Sequence, residues 1–177
     1  ASVLRYFFKD KIKIYITSNN FTDLNKIKKN IFDKIFISKD LIEGSARALK
    51  TKVESKYSNK ILKSGFDIIY DCSGSKNIFN KILRVSGFRS TIFLMSMNMK
   101  KVSIDPTPIW QGEKKIIGIH GYDFIHKNEN TLILGEKLIL NSNFISDNFS
   151  VKKINFNRWE KFINQSNPNT LKKVLFF

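Results

Sequence analysis

One cysteine and two histidines are all the thiol and imidazole chemistry that 177 residues offer. Cys72 stands in Asp71-Cys72-Ser73-Gly74-Ser75, directly after the apolar run from Phe66 to Tyr70. A thiol in that turn becomes a nucleophile only if a base activates it, and no base lies nearby in sequence. Cys72 is therefore read as a small hydrophobe packed beside a bound ligand. Ser73 and Gly74 share its turn, where Gly74 either lets the backbone approach a ligand closely or simply redirects the chain from strand to helix. Ser96 and Met97 follow the apolar run Thr91 to Met95, either as strand-end core residues or as the lining of a pocket through main-chain groups. His120 follows Gly118 at the end of another apolar run and is read as an interface or surface residue before a catalytic one, while His126 lies in a polar loop facing water. Asp67, Asp71 and Asp105 form no carboxylate pair, nothing resembles a Ser-His-Asp arrangement, and Trp110 and Trp159 read as packing residues. A four-ligand zinc site lacks donors.

The elements that must position these residues follow from apolar periodicity. Residues 1–10 carry apolar side chains at 3, 4, 7 and 8, one face of a helix without a capping residue before it. Ile12, Ile14 and Ile16 alternate as a strand that stops at Thr17-Ser18-Asn19-Asn20, a helix follows over 21–30, and Lys34 to Ile37 is a second strand. Asp40 caps a helix running through Leu49. Phe66 to Asp71 is a strand, Ser75 caps a helix over 76–86, and Thr91 to Met95 has the near-continuous apolar character of a parallel strand covered on both faces. Asp105-Pro106-Thr107-Pro108 is a loop entering a helical turn at Ile109 and Trp110. After the strand Lys115 to Ile119 come an amphipathic helix over 131–140, a strand over 151–154, a helix over 157–164 and a last strand from Lys173 to Phe177. Strands and helices alternating through short loops predict an α/β fold with a parallel, doubly wound sheet.

The segment Gly65 to Ser75 resembles the fourth strand and following turn of medium-chain, zinc-type alcohol dehydrogenases, which read as an apolar strand, an acid, a variable pair and a glycine. Thr91 to Met97 is similar to that superfamily's next strand. Ile104 to Trp110 and Lys115 to Tyr122 are similar to its subsequent loop and final sheet strand. The order and spacing hold over most of the chain, and the Asp-Cys-x-Gly-Ser turn with the Thr-Pro-Ile-Trp stretch looks most like threonine-dehydrogenase-like members. The resemblance implies a Rossmann-like sheet lacking its first strand and its glycine-rich phosphate loop, with residues 1–10 as the helix after that loop. The missing strand would lie between those at 12–16 and 66–71. It further implies a partial nucleotide-binding domain over 1–145 and a segment of the catalytic domain over 146–177.

By the same resemblance the cofactor is NAD or NADP. Gly74 serves its adenosine side, Ser96 and Met97 the nicotinamide pocket, and His120 the strand that contacts the carboxamide and forms a dimer edge. Zinc belongs to upstream residues, where it polarises an alcohol or carbonyl substrate during hydride transfer. Ser18 stands where NAD-using members place an acid on the adenosine ribose, so the pattern departs from an NAD preference; no Arg follows it, although Lys26, Lys28 and Lys29 are near. Ser96 replaces a usual Gly, and Arg89-Ser90 replace a common Gly-Gly turn, adding bulk where the backbone turns sharply.

Composition limits the alternatives. Every hydrophobic run is interrupted by Lys, Asp or Asn, so no membrane span is expected. A lone cysteine excludes an internal disulfide and fits a reducing cytoplasm. The net charge of +16 invites a nucleic-acid partner, yet the lysines are spread through nearly every segment alongside Ile, Asn and Phe, as a compositional drift would leave them. The chain opens on Ala without a leader pattern and is read as starting inside a longer chain. The rival to an oxidoreductase is a degenerate dehydrogenase fold kept as a binding or structural module.

Overall fold

The computed structural model describes residues 1–18, 29–37, 40–56, 59–96, 101–120, 124–126, 129–140, 151–155 and 172–176. In chain order these hold α1 (Ser2–Phe8), β1 (Tyr15–Ser18), β2 (Lys34–Ile37), α2 (Leu41–Leu49), β3 (Val53–Lys56), β4 (Asn59–Leu62), β5 (Phe66–Asp71), α3 (Lys76–Val85), β6 (Ser86–Leu94), α4 (Thr107–Gln111), β7 (Lys115–Gly118), β8 (Phe124–His126), β9 (Glu129–Asn130), α5 (Thr131–Leu140), β10 (Val151–Asn155) and β11 (Lys172–Phe176). The chain divides into two compact units, Ala1–Lys34 with Tyr122–Phe177, and Ile35–Gly121. The architecture is α/β and Rossmann-like, with parallel strands and intervening helices. Among the described residues no helix is long and apolar enough to cross a membrane.

The second unit contains a three-stranded sheet. Its order is β5-β6-β7, with both pairings parallel. Ile92 at the centre is fully buried, and Leu83, Val85, Ile82 and Phe79 of α3 join Leu41, Ile42 and Ala46 of α2 in the core beneath it. The opposite face of the sheet is not covered within this unit: Ile68, Tyr70 and Ile117 are exposed, and Tyr70 stacks on Phe93 with ring centroids 5.0 Å apart. β5 forms one edge, and among the described residues no strand is hydrogen-bonded along its outer side. Asp40 caps α2 as expected, its Oδ1 accepting from the backbone N–H groups of Ile42 at 3.1 Å and Glu43 at 3.3 Å.

Two features depart from the periodic pattern here. The antiparallel hairpin β3–β4 carries few apolar residues and was not expected; Leu62 anchors it in the core. β6 begins at Ser86 rather than 91, because α3 runs into it without a loop. Its pairing with β5 jumps from Phe66↔Ser86 to Ile68↔Thr91, so the intervening β6 residues bulge. Arg89 occupies the left-handed region at φ 53° inside that bulge, a conformation that favours glycine. Its backbone N–H donates to Gly112 O at 2.7 Å and its guanidinium pairs with Glu113 at 2.7 Å, which hold it there. The Ser90 hydroxyl beside it is buried without a hydrogen-bond partner.

Lys114 closes the junction between α3 and β6. Its ammonium donates to Ser86 O at 2.6 Å, Ser86 Oγ at 2.7 Å and Gly87 O at 3.2 Å, a cation placed on carbonyls just past a helix carboxyl end. Burial pushes its pKa down to about 8. Between pH 8 and the ordinary lysine value the unfolded chain holds a proton that the folded chain has released, so stability rises with pH across that window; below pH 8 both states are charged and the burial penalty is fully present. The stability of the protein relative to Lys114→Met is thus expected to grow from pH 8 toward pH 10 in urea titrations, and a flat difference would contradict the assignment.

In the first unit, Arg5 of α1 joins three segments. Its guanidinium donates to Lys9 O at 2.6 Å, to Ile12 O at 3.4 Å and to the Asp33 carboxylate at 2.6 Å. The Asp33 carboxyl is held below the usual carboxylate range by the Ile14 N–H, which donates at 2.7 Å, and then by Arg5. These bonds occupy Ile12 and Ile14, so β1 starts at Tyr15 instead of 12 and runs through Thr17 and Ser18. Helix α5 has the expected bounds but is not amphipathic: Leu138 is buried, whereas Leu132, Ile139 and Leu140 are exposed. β8 and β9 form a short antiparallel pair not foreseen in the sequence, and β10 pairs with β11 in parallel from Val151↔Lys172 to Asn155↔Phe176. The helix expected over 157–164 lies outside the described residues, as does most of the one over 21–30.

Candidate functional site

The described candidate residues of the second unit, Cys72, Ser73, Gly74, Ser96 and His120, lie at the carboxyl ends of its three strands. Register places Asp71, Leu94 and Gly118 in one row. The ladder continues one step further, with Met95 N donating to Asp71 O and Ile119 N donating to Leu94 O, each at 2.9 Å. Just beyond this row Cys72 is exposed, as are Ser73, Ser96 and His120. A Cβ added to Gly118 would meet nothing within 4 Å, so the end of β7 faces open space. In open parallel sheets, ligands bind outside these carboxyl ends.

A buried acid shapes the first wall of this edge. Asp71 is 8% exposed, and its Oδ1 accepts from Ser73 N at 2.9 Å and Ser73 Oγ at 2.6 Å. Ser73 Oγ in turn accepts from Ser75 N at 3.2 Å. Gly74 takes φ 58°, the left-handed conformation that lets the chain leave this turn and enter α3. Ser75 is the residue before the helix, as expected, but makes no side-chain cap bond. Ser73 therefore acts inside the turn and Gly74 supplies its backbone shape. Asp71 was visible as the motif's acid but lay outside the set of candidate ligand residues; its burial, which no sequence periodicity reports, reveals it as the organiser of the turn.

Ser18, the last residue of β1, is half-buried and belongs to the first unit. Met97 lies outside the described residues. Among the described residues no three His, Cys, Asp or Glu side chains gather as a metal site. Nor does any base bond to Cys72 there. The edge presents the exposed Ser73 and Ser96 and open space beyond Gly118.

No family profile matches the sequence, and no curated protein matches it. Solved structures do match the fold. A short chain alcohol dehydrogenase (rspB) from E. coli CFT073, solved with NADH, is 15% identical with a TM-score of 0.72, over 99% of this chain and 48% of that one. The 2R,3R-butanediol dehydrogenase from Bacillus subtilis is 15% identical with a TM-score of 0.64, over 92% of this chain and 43% of that one. S. aureus TarJ, solved with NADPH, is 13% identical with a TM-score of 0.61, over 98% of this chain and 50% of that one. The chain thus shares the fold of alcohol-dehydrogenase-type oxidoreductases and spans about half or less of their length.

Proposed function

We propose that the chain is the cofactor-holding carboxy-terminal portion of a nicotinamide-dependent oxidoreductase of the zinc-type alcohol dehydrogenase superfamily, similar to its threonine-dehydrogenase-like members. The observation that carries this is the row Asp71–Leu94–Gly118, beyond which the candidate residues Cys72, Ser73, Gly74, Ser96 and His120 all lie. A dinucleotide fits such an edge because it needs main-chain donors and acceptors, a glycine turn and uncovered space. The solved structures with NADH and NADPH share the fold that presents it.

In this account Gly74 and the Cys72–Ser73 turn serve the adenosine side, and Ser96 and His120 serve the nicotinamide side. Bound there, the dinucleotide supplies a hydride donor or acceptor for an alcohol or carbonyl substrate. The zinc implied by the superfamily would need a cluster of Cys, His or acidic donors, and among the described residues no such cluster gathers. The outer side of β5, along which no strand is hydrogen-bonded among the described residues, is where such a sheet would place its central strand. The partial nucleotide-binding domain spans 1–145, the catalytic-domain segment spans 146–177, and β7 offers the edge through which copies would associate in the cytoplasm.

Hydrogen exchange on the protein expressed from its complete reading frame tests the site. NADH or NADPH is expected to protect amides of 72–75, 95–96 and 118–120. Dinucleotide binding without protection in these segments would refute the placement.

A further inference from the structure

We propose that the outer face of α5 is a docking surface for the polypeptide that precedes Ala1, an assignment that rests on the reading of this chain as the later part of a longer oxidoreductase. Leu132 is 54% exposed, Ile139 49% and Leu140 74%. At about 3.6 residues per turn these three fall within about 100° of the helix surface, the width of an apolar stripe that faces a core. Leu138, on the opposite side, is 7% exposed. The helix is thus apolar on two sides, and a helix of that kind is ordinarily buried on both. Among the described residues only the Leu138 side is covered.

The nature of the cover follows from three features. This chain spans about half or less of the length of the solved structures that share its fold, so a tethered segment of comparable size is the first candidate to close the face. A second copy fits less well, because a stable association of separate chains buries about 800 Å² on each partner, more than three part-exposed side chains on a short helix supply. A segment of the same chain loses no translational freedom on docking, so a small face suffices. A lipid surface is disfavoured by Glu136, which is exposed and lies inside the stripe, since an acid there would enter the apolar part of the bilayer. A protein cover has only to bring a hydrogen-bond donor or a cation to that one carboxylate.

The test places the photo-crosslinker benzoylphenylalanine in place of Leu132 or, separately, Leu140 in the protein made from its complete reading frame. Irradiation is expected to join each position to peptides preceding Ala1 within the same molecule, read by mass spectrometry. Links to residues after Ala1 of the same molecule, or between two molecules, would overturn the assignment in favour of self-cover or of a second copy. Absence of any product at both positions would mean a face open to water and overturn it equally. Where the bulky group blocks folding, Leu140→Ala decides: the urea midpoint is expected to fall by about 1 M, and a midpoint equal to the parent's would overturn the docking. The two proposals fail separately. NADH binding with links elsewhere removes the docking face and leaves the dinucleotide reading, whereas links before Ala1 in a protein that binds neither NADH nor NADPH do the reverse. A complete frame that adds nothing before Ala1 removes both.

Discussion

Replacing Gly65 by alanine is expected to destabilise the protein by about 3 kcal/mol, at the upper end of what forced overpacking costs. A Cβ at this position would lie 2.3 Å from Val85 O, 2.5 Å from Gly87 N and 2.5 Å from the Ser86 carbonyl carbon. All three are backbone atoms at the loop-free passage from α3 into β6, so no side-chain rotation can make room. The junction is held from the other side by Lys114 on the Ser86 and Gly87 carbonyls. The chain must therefore shift where the sheet's first pair, Phe66↔Ser86, is formed. Urea unfolding would read the loss directly. A Gly65→Ala protein as stable as the parent would mean that the close approach of these chains is not as described.

Asp71→Ala is the second large expectation, and it separates structure from ligand. The substitution removes the acceptor of both Ser73 N and Ser73 Oγ at the end of β5. A half-buried N–H is left unpaired, costing about 2 kcal/mol, and the turn carrying Cys72, Ser73 and Gly74 loses its organiser. Dinucleotide affinity is expected to fall at least about tenfold through loss of preorganisation. Asp71→Asn retains an oxygen able to accept both bonds and should recover most of the stability. If the alanine variant unfolds at the same urea concentration as the parent, Asp71 does not hold the turn.

Much of the fold was legible because local chemistry and tertiary packing agree. Asp40 before an apolar-periodic segment gives both the cap and the start of α2, and Gly74 between strand and helix gives a left-handed turn. The failures have identifiable causes. Ile12, Ile14 and Ile16 alternate like a strand, but Arg5 and Asp33 take the main-chain groups of Ile12 and Ile14, an effect of residues distant in sequence. The hairpin Val53–Leu62 is dominated by Lys, Ser, Asn and Glu, and only its placement against the core makes it a strand pair. Apolar content made α5 legible as a helix, while the exposed Leu132, Ile139 and Leu140 were hidden because composition does not say which neighbour is present.

The candidate site was legible in part for the same reason. The small residues after β5 and the polar residue after β6 mark strand ends, and a parallel sheet must bring such ends to one edge. Asp71's burial was not legible, since it depends on which atoms the fold brings to the side chain. Arg89 and Ser90 stand where the resemblance expects a Gly-Gly turn. The structure adds that one sits at φ 53° and the other hides an unpaired hydroxyl.

Calorimetric titration with NADH and NADPH, run on these 177 residues and on the product of the complete reading frame, bears most directly on the proposal that β5 awaits a strand to finish a dinucleotide site. Saturable binding is predicted for the longer protein and no micromolar binding for the 177 residues alone. A micromolar dissociation constant on the shorter chain would show that the edge needs no completing strand and would contradict the account.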